Sequence, residues 1–198
     1  CKTSSGYGGA IYFENTNSGQ SVLYEVCGYD CYTTYTNPNY QFAFLRVYNT
    51  ASSKNYFNYS SISRCVNAES NSHYNLRLRN GKICCPSVNI SLNKCQYYSG
   101  IYCNPLSDLN SVTCSFSYST FVDNTANGHN CIRLATTANY EIKSCNILRN
   151  IQISLGSEGT IASWGNLAVE DSCILENTAN YIFYQGSSYT ITISNCTV

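Results

Sequence analysis

An apolar side chain returns at near-regular intervals along this chain, each time inside a short frame rich in Ser, Thr and Asn. The frames are Ser61-Ile62-Ser63-Arg64-Cys65, Ser91-Leu92-Asn93-Lys94-Cys95, Thr120-Phe121-Val122-Asp123-Asn124, Asn146-Ile147-Leu148-Arg149-Asn150 and Cys173-Ile174-Leu175-Glu176-Asn177. Their anchors, Ile62, Leu92, Phe121, Ile147 and Ile174, stand 30, 29, 26 and 27 residues apart. Asn195-Cys196-Thr197-Val198 starts a further copy. Units this short cannot bury an apolar face alone. They bury it by stacking on one another.

Two more ladders lie between the anchors. One runs through Ile11-Tyr12-Phe13, Leu45-Arg46-Val47, Leu76-Arg77-Leu78, Ile101-Tyr102-Cys103, Ile132-Arg133-Leu134, Ile161-Ala162-Ser163 and Ile182-Phe183-Tyr184. Most copies alternate apolar with polar residues, the pattern of half-buried strands. The other comprises short runs such as Val88 to Leu92, Cys114 to Tyr118 and Thr190 to Ile193, with Gly, Asn and Ser between the runs. Three short strands per repeat predict an all-β, right-handed parallel β-helix of six or seven coils, the hand following the general preference of parallel crossovers. A β-sandwich also yields many short strands, but aligned anchors in five copies favour the solenoid. Asn124, Asn150 and Asn177 share one turn position, where Asn tolerates left-handed backbone and its amide can bond to a stacked neighbour. Residues 1–198 read as one β-helical segment with a Tyr-rich insertion near 28–41. The chain starts at Cys1 and contains no Met, which is expected of a piece of a longer chain.

Charge narrows the function classes. Lys and Arg total 11, as do Asp and Glu, so the net charge is zero. A nucleic-acid binder working through a basic stripe is disfavoured, as is a polybasic membrane anchor. No run of 18 apolar residues is present, so anchoring to a membrane is expected only through regions outside this sequence.

Gly8-Gly9-Ala10-Ile11 and Phe121-Val122-Asp123-Asn124 resemble the Gly-Gly-Ala-Ile and Phe-x-x-Asn repeats of polymorphic membrane proteins, and Ile147 to Asn150 and Ile174 to Asn177 are relaxed versions. Such repeats occur in bacterial adhesin-type autotransporter passengers, with similar ones in surface-protein families of parasitic protists, whose richness in Cys, Asn and Tyr is closer to this chain. The resemblance implies a β-helical, adhesion-type protein at the cell surface. It carries no catalytic residues.

The 13 cysteines read mainly as small apolar residues of a packed interior. Off the ladders, Cys27 with Cys31, and Cys84 or Cys85 with a loop partner, are the disulfide candidates. Cys27 and Cys31 form one metal-type pair with no second pair nearby, so zinc is not expected. No cofactor is implied. A β-helical polysaccharide lyase or hydrolase is the competing class, but its chemistry needs paired carboxylates across a bond. Only Glu170-Asp171 are adjacent, and His129 in Gly128-His129-Asn130 has no acidic companion in sequence. Catalytic residues are therefore assigned to none of this piece.

Strand alternation makes a sharper suggestion. If Ile132 and Leu134 point inward, Arg133 points out. Tyr12, Arg46, Arg77 and Tyr102 are then exposed at equivalent positions, as one vertical stripe able to bind an anionic glycan through guanidinium forks and stacking rings. The same residues could instead stack on one another. Tyr24, Tyr29, Tyr32, Tyr35, Tyr40 and Tyr48 crowd the insertion region, where aromatic side chains can serve recognition. Asn58, Asn89 and Asn195 open glycosylation sequons. The expected role is an extracellular or cell-surface adhesive segment with glycan or protein partners on neighbouring cells. A β-helical enzyme with its catalytic coil elsewhere and an inert spacer are the alternatives.

Overall fold

The computed structural model describes residues 1–4, 9–17, 19–34, 40–65, 73–154, 158–186 and 188–198. Gly8 of the Gly-Gly-Ala-Ile motif, and Tyr35 with the rest of 35–39, lie outside them. The described residues form strands and turns without a helix. Every strand pair is parallel, and the chain winds as a β-solenoid of about six turns.

Three walls enclose the core. The first stacks Ile11–Glu14, Tyr40–Arg46, Tyr74–Arg79, Tyr98–Asn104, Ile132–Leu134, Ile161–Ser163 and Phe183–Gln185. The second stacks Ser21–Tyr24, Lys54–Asn58, Lys82–Pro86, Val112–Ser117, Asn139–Lys143, Asn166–Glu170 and Ile191–Ser194. The third is built from three-residue strands, Cys27–Tyr29, Ser61–Ser63, Asn89–Ser91, Thr120–Val122, Asn146–Leu148 and Cys173–Leu175.

The third wall is short because a left-handed residue turns the chain at each of its ends. Before it stand Glu25, Tyr59, Ser87, Tyr118, Ser144, Asp171 and Asn195; after it stand Asp30, Arg64, Leu92, Asp123, Arg149 and Glu176, all with φ between 48° and 59°. Each costs about 1–2 kcal/mol in backbone strain. The stack offsets that cost, because the strained residue's N–H still bonds to the next coil: Leu92 N donates to Val122 O at 3.1 Å and Arg149 N to Leu175 O at 3.1 Å.

This geometry corrects one anchor. The register pairs Ile90 with Ile62 and Phe121, so Ile90 is the interior residue and Leu92 is an exposed corner with φ 58°. Both sit on one face of the alternation, two residues apart, so pattern alone does not separate them. In the first wall the last anchor is likewise Phe183, paired with Ile161, and not Ile182. Cys65 therefore stacks on Asn93, and Cys95 belongs to a fourth, minor ladder with Ala126 and Gln152.

The asparagines occupy the position after the left-handed corner, not the corner itself. Their side chains point inward and form a continuous ladder. Asn93 Nδ2 donates to Asn124 Oδ1 at 2.9 Å, Asn124 Nδ2 to Asn150 Oδ1 at 3.0 Å, and Asn150 Nδ2 to Asn177 Oδ1 at 2.9 Å. Each amide also bonds to backbone: Asn124 Nδ2 donates to Ile90 O at 2.8 Å, and Asn124 Oδ1 accepts from Asn93 N at 3.2 Å. At the opposite end of the third wall, Ser60, Ser119 and Ser172 alternate with Val26, Val88 and Cys145, whose N–H groups they accept at 3.0–3.2 Å.

All 13 cysteines are free thiols. Cys65, Cys85, Cys103, Cys114, Cys131 and Cys145 pack among the core aliphatics. Burial pushes the Cys131 thiol up to about 12 and that of Cys145 to about 11. Of the disulfide candidates, Cys27 is exposed and Cys31 buried, while Cys84 is half-buried and the adjacent Cys85 faces the core.

Candidate functional site: the outer face of the first wall

Register decides which outward side chains share a line. Tyr12, Phe44, Arg77, Tyr102, Arg133, Ala162 and Tyr184 are consecutive partners along the first wall. Tyr12, Arg77, Tyr102 and Arg133 thus fall on the expected stripe. Arg46 does not: Phe44 holds its place. Arg46 lies one column over, in the series Glu14, Arg46, Arg79 and Asn104. The displacement is again two residues, which keeps the side chain on the outer face.

A third outward column lies on the other side. Tyr40, Tyr74 and Tyr98 are register partners and stack at centroid distances of 5.2 and 5.0 Å, and His129 continues the pile 5.3 Å from Tyr98. Tyr102 meets Tyr74 and Tyr98 edge-on at 5.3 and 5.0 Å. Packing of this kind buries Tyr40 and Phe44 although they face away from the core. Burial also pushes the Tyr98 phenol up to about 12, so it stays a hydrogen-bond donor at neutral pH.

The two central arginines are embedded in these rings. The Arg77 guanidinium lies 4.7 Å from the Tyr102 centroid and 5.0 Å from that of Tyr74, and Nη1 donates to the Tyr40 hydroxyl at 3.3 Å. Arg133 lies 3.4 Å from the Trp164 centroid and forms an ion pair with Glu158. Glu158 also meets His129 Nδ1 at 3.2 Å. The Arg133 and Glu158 side chains are only 15% and 14% exposed, so this pair is a buried staple and not an open receptor.

At the other end the charge is unbalanced. Arg46 and Arg79 are register partners, Arg77 is turned to the tyrosine column, and among the described residues the carboxylate bonded here is Glu14, whose Oε1 accepts from Arg46 Nη1 at 2.6 Å and whose Oε2 accepts from the Tyr12 hydroxyl at 2.7 Å. Those two hydrogen bonds hold the Glu14 carboxyl below its ordinary value, the tyrosine's being the larger influence. Burial, and then repulsion from Arg46 and Arg77, lower the pKa of Arg79. Among the described residues no carboxylate pairs with Arg77 or Arg79. The Nε atoms of Arg46, Arg77 and Arg79 are buried without a partner.

Glu14, Arg79 and Glu158 were not among the residues singled out by sequence. Arg79 was within reach, since Leu76-Arg77-Leu78-Arg79 puts both arginines on one face. Glu158 was not, because its partners Arg133 and His129 come from the preceding coil. The carboxylates on this face, Glu14 and Glu158, stand about five coils apart, roughly 24 Å at the parallel-strand spacing. They do not flank a common bond. Among the described residues no group of three His, Cys, Asp or Glu side chains could hold a metal.

The other candidates scatter. Tyr24 and Tyr59 meet edge-on at 5.5 Å, Tyr29 lies under Arg64, and Tyr48 is exposed, so the described tyrosines of the insertion region form no single patch. Of the sequons, Asn89 and Asn195 are exposed and Asn58 is half-buried, with Asn195 Nδ2 donating to Asp171 Oδ1 at 2.7 Å.

No protein-family model, no curated protein and no solved structure matches this chain. The Phe-x-x-Asn pattern nevertheless has a physical meaning in the fold. Phe121 fills the core, Val122 faces out, Asp123 makes the left-handed corner and Asn124 enters the amide ladder.

Proposed function

We propose that this chain is a surface-displayed adhesive segment that takes an anionic glycan on the outer face of its first wall. The observation that carries the reading is the arginine cluster of Arg46, Arg77 and Arg79, with one carboxylate beside it and tyrosine rings along it. Guanidinium groups in a partly dry setting recognise carboxylate, sulfate or phosphate by paired hydrogen bonds. The exposed ring of Tyr12 offers apolar area for a sugar face. The polymorphic membrane protein-like motifs and the exposed sequons at Asn89 and Asn195 agree with a place outside the cell.

The test is retention of the chain on immobilised anionic and neutral polysaccharides over a salt series. The expected result is retention on anionic chains only, weakening as salt rises, and lost in Arg46→Gln/Arg79→Gln. Equal retention on neutral chains, or none on any, overturns the reading.

A further inference from the structure

Resting on that reading, we infer that the group recognised is a tetrahedral oxyanion ester on a sugar, a sulfo or phospho group, bridged by Arg46 and Arg79. Arg46 and Arg79 are register partners in adjacent coils, so their backbones lie about 4.8 Å apart. Arg77 is two residues from Arg79 on the same face. Two guanidinium groups, those of Arg46 and Arg79, are therefore presented side by side from adjacent coils, against the single charge of Glu14, while that of Arg77 is held over Tyr74 and Tyr102.

A carboxylate is planar and is satisfied by one guanidinium fork. Placed here it would engage one of Arg46 and Arg79 and leave the other uncompensated. A tetrahedral ester presents three oxygens in divergent directions, one set for each coil. The neighbours of the spot are already committed. Asn104, next in the column, donates to Thr136 Oγ1, and Arg77 Nη1 donates to the Tyr40 hydroxyl.

The backbone places Arg79 at the end of its strand, beside a tight corner. Its strand runs straight into a two-residue corner, Asn80-Gly81, with φ of 70° and 66°. Asn80 Nδ2 donates to Val47 O at 3.2 Å and Gly81 N to Asn49 Oδ1 at 3.3 Å. The corresponding corners before and after run over 47–53 and 105–111. The end of this strand thus lacks a loop of its own, while longer loops flank it.

Four polymers on one backbone test the inference: dextran sulfate, dextran phosphate, carboxymethyl dextran at equal charge density, and plain dextran. The expected result is at least tenfold tighter binding of one or both esters than of carboxymethyl dextran. Which ester binds tighter names the source. Arg79→Lys, which keeps the charge and removes the fork, should weaken ester binding about tenfold. Arg149→Gln, on the third wall, should leave it unchanged. Carboxymethyl dextran binding as tightly as the esters, or Arg79→Lys binding them as wild type, overturns the inference and leaves the anionic-glycan reading standing. Binding to none of the anionic polymers, or equally to plain dextran, overturns both.

Discussion

Asn124 donates its side-chain amide to Asn150 Oδ1 at 3.0 Å, across a step of 26 residues in sequence and one coil in space. The same oxygen accepts the backbone N–H of Asn124 at 3.1 Å. One carboxamide thus satisfies two donors of the coil before it, and its own Nδ2 reaches Phe121 O and Asn177 Oδ1, both at 2.9 Å. Asn150→Ala removes the side-chain partner of the Asn124 N–H and of Phe121 O, at about 1–3 kcal/mol for each group left buried, while Asn124 Nδ2 keeps Ile90 O and Asn177 Oδ1 keeps the backbone N–H of residue 150. A loss of about 3 kcal/mol is expected in equilibrium urea unfolding. A loss below about 1 kcal/mol would show that water or a shifted backbone replaces the amide.

Leu92 holds a left-handed conformation at φ 58° with its side chain 49% exposed. It contributes little packing and carries strain. Leu92→Asn is expected to stabilise by about 1 kcal/mol, and Leu92→Val to destabilise by a similar amount. Thermal melts of the two variants check the opposite signs.

Burial raises several groups that lose a proton at high pH. Cys131 and Tyr98 move up to about 12 and Cys145 to about 11, while Cys85 and Cys103 are also raised by burial. A group whose folded pKa is raised contributes stability that is present below its unfolded pKa and lost as pH climbs through the folded one. Stability should therefore be level near neutrality and fall from about pH 9 toward pH 12. Urea midpoints across that range check it, and Cys145→Ala should flatten the slope.

Arg133 and Glu158 are both largely buried, so removing Arg133 leaves Glu158 with His129 alone. Arg133→Met is expected to cost about 3–5 kcal/mol. The double variant Arg133→Met/Glu158→Gln should recover part of that, as read by a double-mutant cycle in urea. Neither should weaken retention on dextran sulfate beyond the change explained by unfolding.

Glu14 occupies one side of the Arg46 guanidinium and would compete with an anionic ligand. Glu14→Gln should tighten binding of dextran sulfate about tenfold, equivalent to ~1.4 kcal/mol. Weaker binding would show instead that Glu14 holds Arg46 in position.

The solenoid was legible because stacking imposes one repeated environment on every coil. Ile62, Phe121, Ile147 and Ile174 announce the same interior position, and Asn124, Asn150 and Asn177 the same amide ladder. The corners were less legible. Tyr, Arg, Glu, Ser and Leu all take the left-handed positions, where glycine or asparagine is the usual signal. The strain is carried by hydrogen bonds to the next coil, and those partners lie some 30 residues away.

What the sequence determined by itself is the stacking of short parallel strands and the face to which each side chain turns. Alternation with a period of two fixes in or out. It does not distinguish Ile90 from Leu92, or Phe44 from Arg46, since each pair shares a face. Only the tertiary structure, through interstrand hydrogen bonding, chose the register. That choice moved Arg46 beside Arg79 and left Arg133 to Glu158, and so divided an apparent stripe into a closed staple and a pair of adjacent arginines with Glu14 beside them.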